Sequence, residues 1–189
     1  ERGAAVDERM AAVDAFNAGE PLDPHTNIQY GEGGAGTFSD GKLTTNIKSP
    51  WAQHVLHLFV EAGAPEEILW QAKPHIGTDL LVDIVRNIRK QIEQAGGEVR
   101  FNAQLTALHF ENGHLTQAEI TSLQPTQTLR GRSTNCPESA RFETTAESIP
   151  ASRVVLACGH SARDTFELVR DAGVHMEQKP FSVGVRIEH

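Results

Sequence analysis

Three glycines, Gly31, Gly33 and Gly36, stand in G-x-G-x-x-G spacing inside "YGEGGAGTFSDGKLTT", residues 30–45. Where that spacing follows an apolar strand and opens a helix, the backbone turn approaches a pyrophosphate that rests on the helix N-terminus. Neither condition is met here. The residues ahead, "DPHTNIQ", make a poor buried strand, and Asp40-Gly41 interrupts any helix within a few residues of Gly36. The match to a dinucleotide turn is formal only. A second chemistry stays open to the same stretch. Successive glycine N–H groups can converge on an anion, with the hydroxyls of Thr37 and Ser39 and the ammonium of Lys42 beside them. An ordinary surface loop has the same composition, and residue chemistry leaves these two readings level.

Other reactive side chains are sparse. His54 and His57 are three apart on a predicted helix with Glu61 four further on, a spacing that suits a metal. No second helix offers a fourth ligand, so a solvated helix face is the better reading and no metal is expected. Cys158, between Ala157 and Gly159, lacks a C-x-x-C partner and reads as a packed, inert thiol. Gly159, His160 and Ser161 form a tight turn ahead of a helix, a place that attracts phosphate. Arg186, Glu188 and His189 alternate with Val185 and Ile187, as a substrate-facing or simply polar strand face would.

Hydrophobic periodicity supplies the elements that would position these groups. Val6, Met10, Val13 and Phe16 or Asn17 have helical spacing, closed by Gly19 and Pro21. Ser49 and Pro50 open a second helix with Trp51, Val55, Phe59 and Ala62 as its apolar stripe, and a shorter one follows Pro65. Thr78 and Asp79 begin the clearest helix, lined by Leu81, Ile84, Val85, Ile88 and Ile92 and stopped by Gly96-Gly97 before a strand over 99–101. Two alternating strands flank Asn112-Gly113, a hairpin signal. Residues 122–152 are Ser, Thr, Pro and Arg rich and read as a surface excursion. An apolar strand over 153–158 then leads through Gly159 into a helix with Ser161 and Asp164 as its capping box, and a last strand follows at 179–189. The order suits a mixed α/β chain with a partly parallel sheet.

Composition narrows the function classes. The 189 residues are 39% hydrophobic and 22% charged, with a net charge of −8 and scattered basic residues, which argues against nucleic-acid binding. No apolar run approaches the roughly 20 residues of a membrane span. Two cysteines, Cys136 and Cys158, form no framework, and a cytoplasmic setting is the default expectation. The opening "ERGAAVDERMAAV" has no initiator Met and reads as the interior of a longer polypeptide. Glu-Arg-Gly ahead of a helix has the form of a strand end that offers a carboxylate to ribose hydroxyls, although three residues alone do not separate that from an arbitrary terminus.

Five stretches taken together carry a resemblance: "GEGGAGTFSDGKL", "PHIGTDLL", "IRKQIEQAGGEVRF", "VVLACGHSARDTFEL" and "KPFSVGVRIEH". They resemble bacterial FAD-dependent dehydrogenases of the NAD(P)/FAD-dependent oxidoreductase family, relatives of the glutathione-reductase and fumarate-reductase flavoproteins. The resemblance covers nearly the whole chain except residues 122–152. It implies an α/β (α+β) fold: part of a Rossmann-like FAD/NAD(P)-binding domain, with a partly parallel sheet plus a β-hairpin or meander. Residues 1–175 would be that partial domain, without its N-terminal G-x-G-x-x-G unit, and 176–189 the start of a substrate-side domain.

The resemblance also implies roles. Glu1, with Arg2 and Gly3 beside it, would hold the adenosine ribose of FAD. Gly33, Gly34, Ala35, Gly36, Thr37, Ser39, Asp40, Gly41 and Lys42 would wrap the pyrophosphate and flavin side. The backbone at Val99 would meet the adenine, and Gly159, His160 and Ser161 the pyrophosphate. The function implied is flavin-mediated hydride or electron transfer on a small-molecule substrate that the sequence does not name. No catalytic residue stands out, and the chain alone is expected to be inactive. A non-catalytic nucleotide- or phosphate-binding module and a purely structural domain are the competing readings.

Overall fold

The computed structural model describes residues 1–38, 41–45, 47–125, 142–180 and 184. Ser39, Asp40, Cys136 and the stretch from Val185 to His189 lie outside the described residues, so the expectations placed on them do too.

Helix α1 spans Val6–Asn17, with Asp7 and Glu8 in a first turn where negative charge is favoured. Its buried face is Val6, Arg9 and Val13, whereas the expected Met10 and Phe16 stand exposed. The stripe is displaced because the stretch after the helix folds back over it. Thr26 Oγ1 accepts from the Ala4 N–H, and the Asn27, Ile28 and Gly31 carbonyls accept from Arg9.

Helix α2 spans Pro50–Glu61, with Pro50 opening it and the Ser49 hydroxyl accepting from the Trp51 N–H at 3.3 Å. Its inward face is also displaced. Trp51 is 71% exposed and Val55 is exposed, while Leu56, Phe59 and Val60 pack against buried Ala62, Ala64, Ile68, Ile76, Leu81 and Ile84. The 3-10 turn Glu66–Leu69 supplies Ile68 to the core that these residues pack against.

Helix α3, Thr78–Gln94, is the long amphipathic element that the periodicity predicts. Gly77 rather than Thr78 occupies its N-cap. At its end Gly97 N–H donates to the Ile92 carbonyl at 2.9 Å and Gly96 N–H to the Glu93 carbonyl at 3.0 Å, with Gly96 at φ +84°. That paired closure needs a left-handed residue, which glycine adopts without a Cβ penalty.

No strand forms over 99–101; the chain passes directly into β1, Ala103–Glu111. Asn112 (φ 50°) and Gly113 (φ 79°) make the tight turn to β2, His114–Pro125, because a two-residue turn of the hand that suits strand twist needs positive φ at both positions. Strand β3, Phe142–Pro150, then pairs antiparallel with β2, with Ala118 opposite Ile149. Part of the expected excursion is thus a third strand. Its Thr, Glu and Ser residues hid it, since an edge strand turned largely to solvent needs no apolar alternation.

The fold is therefore mixed α/β around a three-stranded antiparallel sheet in the order β1-β2-β3. Among the described residues every ladder is antiparallel, and the expected parallel pairing does not occur. The apolar run 153–158 is unpaired there, with Val155 91% exposed. A continuous apolar strand suits a sheet covered on both faces, and no neighbouring strand among the described residues provides one. Helix α4, Arg163–Asp171, follows. Among the described residues no helix is long and apolar enough to cross a membrane.

Arg86 on α3 ties this helix to α1 by pairing with Asp7, and it also bonds Asp83 one turn back. The hydrogen bond from Arg86 holds the Asp7 carboxyl below the usual carboxylate range. A lowered carboxyl pKa adds stability above the unfolded-state value, and that stability disappears as pH falls through the folded-state value. Asp7→Asn is expected to lower the urea midpoint modestly at pH about 6 and to match the parent at pH about 2, where Asp7 is protonated in both states. A deficit that persists unchanged in acid would rule out the ion pair as its source.

Candidate functional site

A cleft of about 550 Å³ opens beside the sheet. Its floor is Ala103 and Leu105 of β1 with Ala118 and Ile120 of β2, an apolar surface made by one face of the hairpin. One wall is the run from Val154 through Ser161, and Thr165 of α4 closes that side. Glu1, Arg2, Tyr30, Gly34 and Ala35 form the other wall.

Several residues singled out in the sequence meet here. Glu1, Arg2, Gly34, Ala35, Gly159, His160 and Ser161 all border this one cleft, although they come from three distant parts of the chain. Glu1 Oε1 accepts from the Gly3 N–H at 2.9 Å and the Gly31 N–H at 3.0 Å, so the carboxylate is pinned at the cleft margin by two backbone donors. Gly3 must be glycine, since a Cβ there would meet the Gly31 backbone at 2.6 Å.

Arg2, which also borders the cleft, is engaged within the protein. Its guanidinium bonds Asp164 Oδ2 at 2.6 Å and lies 4.4 Å from the centre of the Tyr30 ring. Gln104 Nε2 donates to the same carboxylate oxygen at 2.7 Å, and Tyr30 Oη donates to the Ser161 carbonyl at 2.9 Å. These contacts lock the N-terminal segment, the glycine loop, β1 and the start of α4 around the cleft. They also undo the expected capping box. Asp164 is engaged by Arg2 and Gln104, Ser161 Oγ pairs with His160 Nδ1 at 3.1 Å, and Ala162 is the N-cap with no side-chain bond.

The other described residues of the predicted loop lie outside the cleft lining. Thr37 is buried behind it, where a Cβ on Gly33 would run into Thr37 Oγ1 and approach Val85 of α3. That hydroxyl has no hydrogen-bond partner among the described residues. Gly36 sits within the 3-10 turn Ala35–Phe38. Gly41 and Lys42 join the α2–α3 core through backbone bonds to Ile76 and a bridge to His75. Val99 is half-buried and away from the cleft lining. His54 packs edge-on against Trp51, and no cluster of three metal-binding side chains occurs among the described residues. Cys158 is exposed at the cleft wall, its thiol 3.7 Å from the Gly159 carbonyl.

Two buried charged groups escape the pattern reading. Glu32 accepts from the Val6 N–H at 2.8 Å, which satisfies the first turn of α1 from outside, and pairs with Arg89 at 3.3 Å. Arg9 lies wholly inside, and burial pushes its guanidinium down to about 10. A signal for Arg9 did exist: it falls three residues after Val6 and four before Val13, on the face those two bury.

Fold and cleft together define a mixed α/β chain with a ligand-sized recess between an antiparallel hairpin and a glycine loop. No family model matches the chain. Over all its 189 residues it is 41% identical to an uncharacterized protein of Clostridium beijerinckii. The chain covers 31% of that relative, and so spans about a third of its length.

Proposed function

We propose that the chain is the cofactor-embracing portion of a FAD-dependent oxidoreductase. The observation that carries this reading is the convergence of Glu1, Gly34, Ala35, Gly159, His160 and Ser161 on one cleft. A volume of about 550 Å³ suits a sizeable part of a dinucleotide. The groups present fit as well. A pinned carboxylate at the margin accepts hydrogen bonds from ribose hydroxyls, small residues at 34 and 35 allow close backbone approach, and the turn at 159–161 leads into the N-terminal end of α4.

In this reading Glu1 would orient the ribose, and the apolar floor of Ala103, Leu105, Ala118 and Ile120 would exclude water from the ring systems. When bound, the flavin would supply the acceptor for a hydride or electron pair. The unpaired run 153–158 supports the same reading, because a Rossmann-type sheet would take it as an interior parallel strand. The substrate would be a small molecule, met by parts of the protein beyond these elements.

The test is the visible absorbance spectrum of the polypeptide purified with its gene's full boundaries. Yellow protein that releases FAD on denaturation is expected, and Glu1→Ala is expected to lose most of the colour. Folded, colourless protein that stays so after incubation with FAD would end the flavoprotein reading.

A further inference from the structure

We propose that Arg9 is the positioning residue of the glycine loop: its buried guanidinium gathers the carbonyls of Asn27, Ile28, Gly31, Glu32 and Gly34 and so presents the loop's opposite face to the cleft. The cleft's use as a FAD site is the reading above, on which the affinity part of this inference rests.

An arginine side chain carries five N–H donors in a planar fork. In this protein all three nitrogens donate to backbone carbonyls, with Nη1 sharing its two N–H groups among three. Nε donates to Asn27 at 2.8 Å, and Nη2 to Ile28 at 2.8 Å. Nη1 donates to Gly31 at 3.2 Å, Glu32 at 2.7 Å and Gly34 at 2.8 Å. The Phe38 ring lies 4.6 Å from the guanidinium and closes the site from the far end of the loop. A trans peptide is planar, so a carbonyl turned toward Arg9 turns the next residue's N–H away from it. The Gly34 carbonyl is held in this way, and the following residue, Ala35, borders the cleft.

The loop has little preference of its own. Gly31, Gly33 and Gly34 sit at φ +123°, +87° and +64°, conformations open to glycine among many others. A fixed cation beneath them selects one. These partners are neutral carbonyls, and the charge that faces the guanidinium across the loop is the Glu1 carboxylate, held on the Gly31 N–H at 3.0 Å. Lysine cannot substitute, because an ammonium carries only three donors on a flexible stem.

The experiment compares parent, Arg9→Lys and Arg9→Ala in the polypeptide with its gene's full boundaries. It uses FAD as the probe, with amide hydrogen exchange read in parallel. In Arg9→Lys the amides of residues 28–35 are expected to exchange at least about tenfold faster while those of α3 hold, and FAD affinity to fall about tenfold. Low-millimolar guanidinium ion is expected to restore part of the affinity of Arg9→Ala, a rescue that general loss of stability would not give. Should both variants fail to fold, Gly31→Ala serves instead, since its Cβ would push Arg9 Cδ and Nε aside while the arginine itself is kept. Parent-like FAD affinity in a variant with fast-exchanging loop amides, or unchanged exchange in Arg9→Lys, would overturn the inference. A parent protein that never binds FAD would defeat the flavin reading alone, and the exchange pattern would still decide the role of Arg9.

Discussion

Gly41→Ala is expected to lower the free energy of unfolding by about 3 kcal/mol, a loss that urea denaturation at neutral pH would read. The left-handed backbone at Gly41, φ +60°, is the smaller part of the cost. The larger part is a collision, because a Cβ at this position would run into the carbonyl oxygen of Ile76 and meet Leu81 Cδ1 at 3.0 Å. The two segments cannot simply separate. Ile76 N–H donates to the Gly41 carbonyl at 3.0 Å, and Leu43 N–H to the Pro74 carbonyl at 2.9 Å. Ile76 itself is buried in the α2–α3 core, so any backbone shift pulls a packed side chain with it. Gly96→Ala is the control. Gly96 also has positive φ, +84°, but a methyl group there would meet nothing within 4 Å, and a loss of only about 1 kcal/mol is expected. Equal losses at the two sites would mean that conformation alone, and not the close approach, governs Gly41.

Glu32→Ala carries an expected loss of similar size, about 3 kcal/mol, because it breaks a largely buried ion pair and strips an acceptor from a helix start. The Glu32 side chain is 8% exposed. Oε2 holds the Val6 N–H at 2.8 Å, and Oε1 lies 3.3 Å from Arg89 Nε. Removing the carboxylate leaves the N–H unsatisfied and takes from Arg89 its buried ion-pair partner, the guanidinium remaining 5.3 Å from the Phe101 ring centre. Glu32→Gln keeps an acceptor for Val6 and loses only the charge, so about 1 kcal/mol is expected. If Gln and Ala variants unfold at the same urea concentration, the charge matters and the acceptor does not.

What could be foreseen in the sequence follows a physical divide. Elements that carry their own punctuation were legible: Ser49-Pro50 opens α2, Gly96-Gly97 closes α3, and Asn112-Gly113 turns the hairpin. In each case the local backbone demands those residue types. Which side of a helix is buried was less legible, because that depends on what folds over it. Arg9 displaces Met10 from the inner face of α1 only because five carbonyls arrive to meet it. Strand β3 escaped for a related reason, since its exposed edge position removes the hydrophobic alternation by which strands are recognised.

The candidate site divides the same way. The residues at 1–2, 34–35 and 159–161 drew notice for their chemistry and reach a common cleft, whereas Thr37, Gly41 and Lys42 share the loop's sequence but are drawn into packing with α3 or the residues just before it. Contiguity in sequence misled because a glycine-rich stretch can change direction at almost any residue. Tyr30, whose hydroxyl bridges the loop to Ser161, has no signature in the sequence, since a single aromatic beside glycines carries no pattern.

The bare run at 153–158 has a practical meaning for anyone handling the protein. Val155 and its neighbours present an apolar ribbon with backbone donors and acceptors unspent on any ladder among the described residues. Such a ribbon is a template for another molecule's strand. Loss of the protein from solution is therefore expected to rise with its concentration, as light scattering would show.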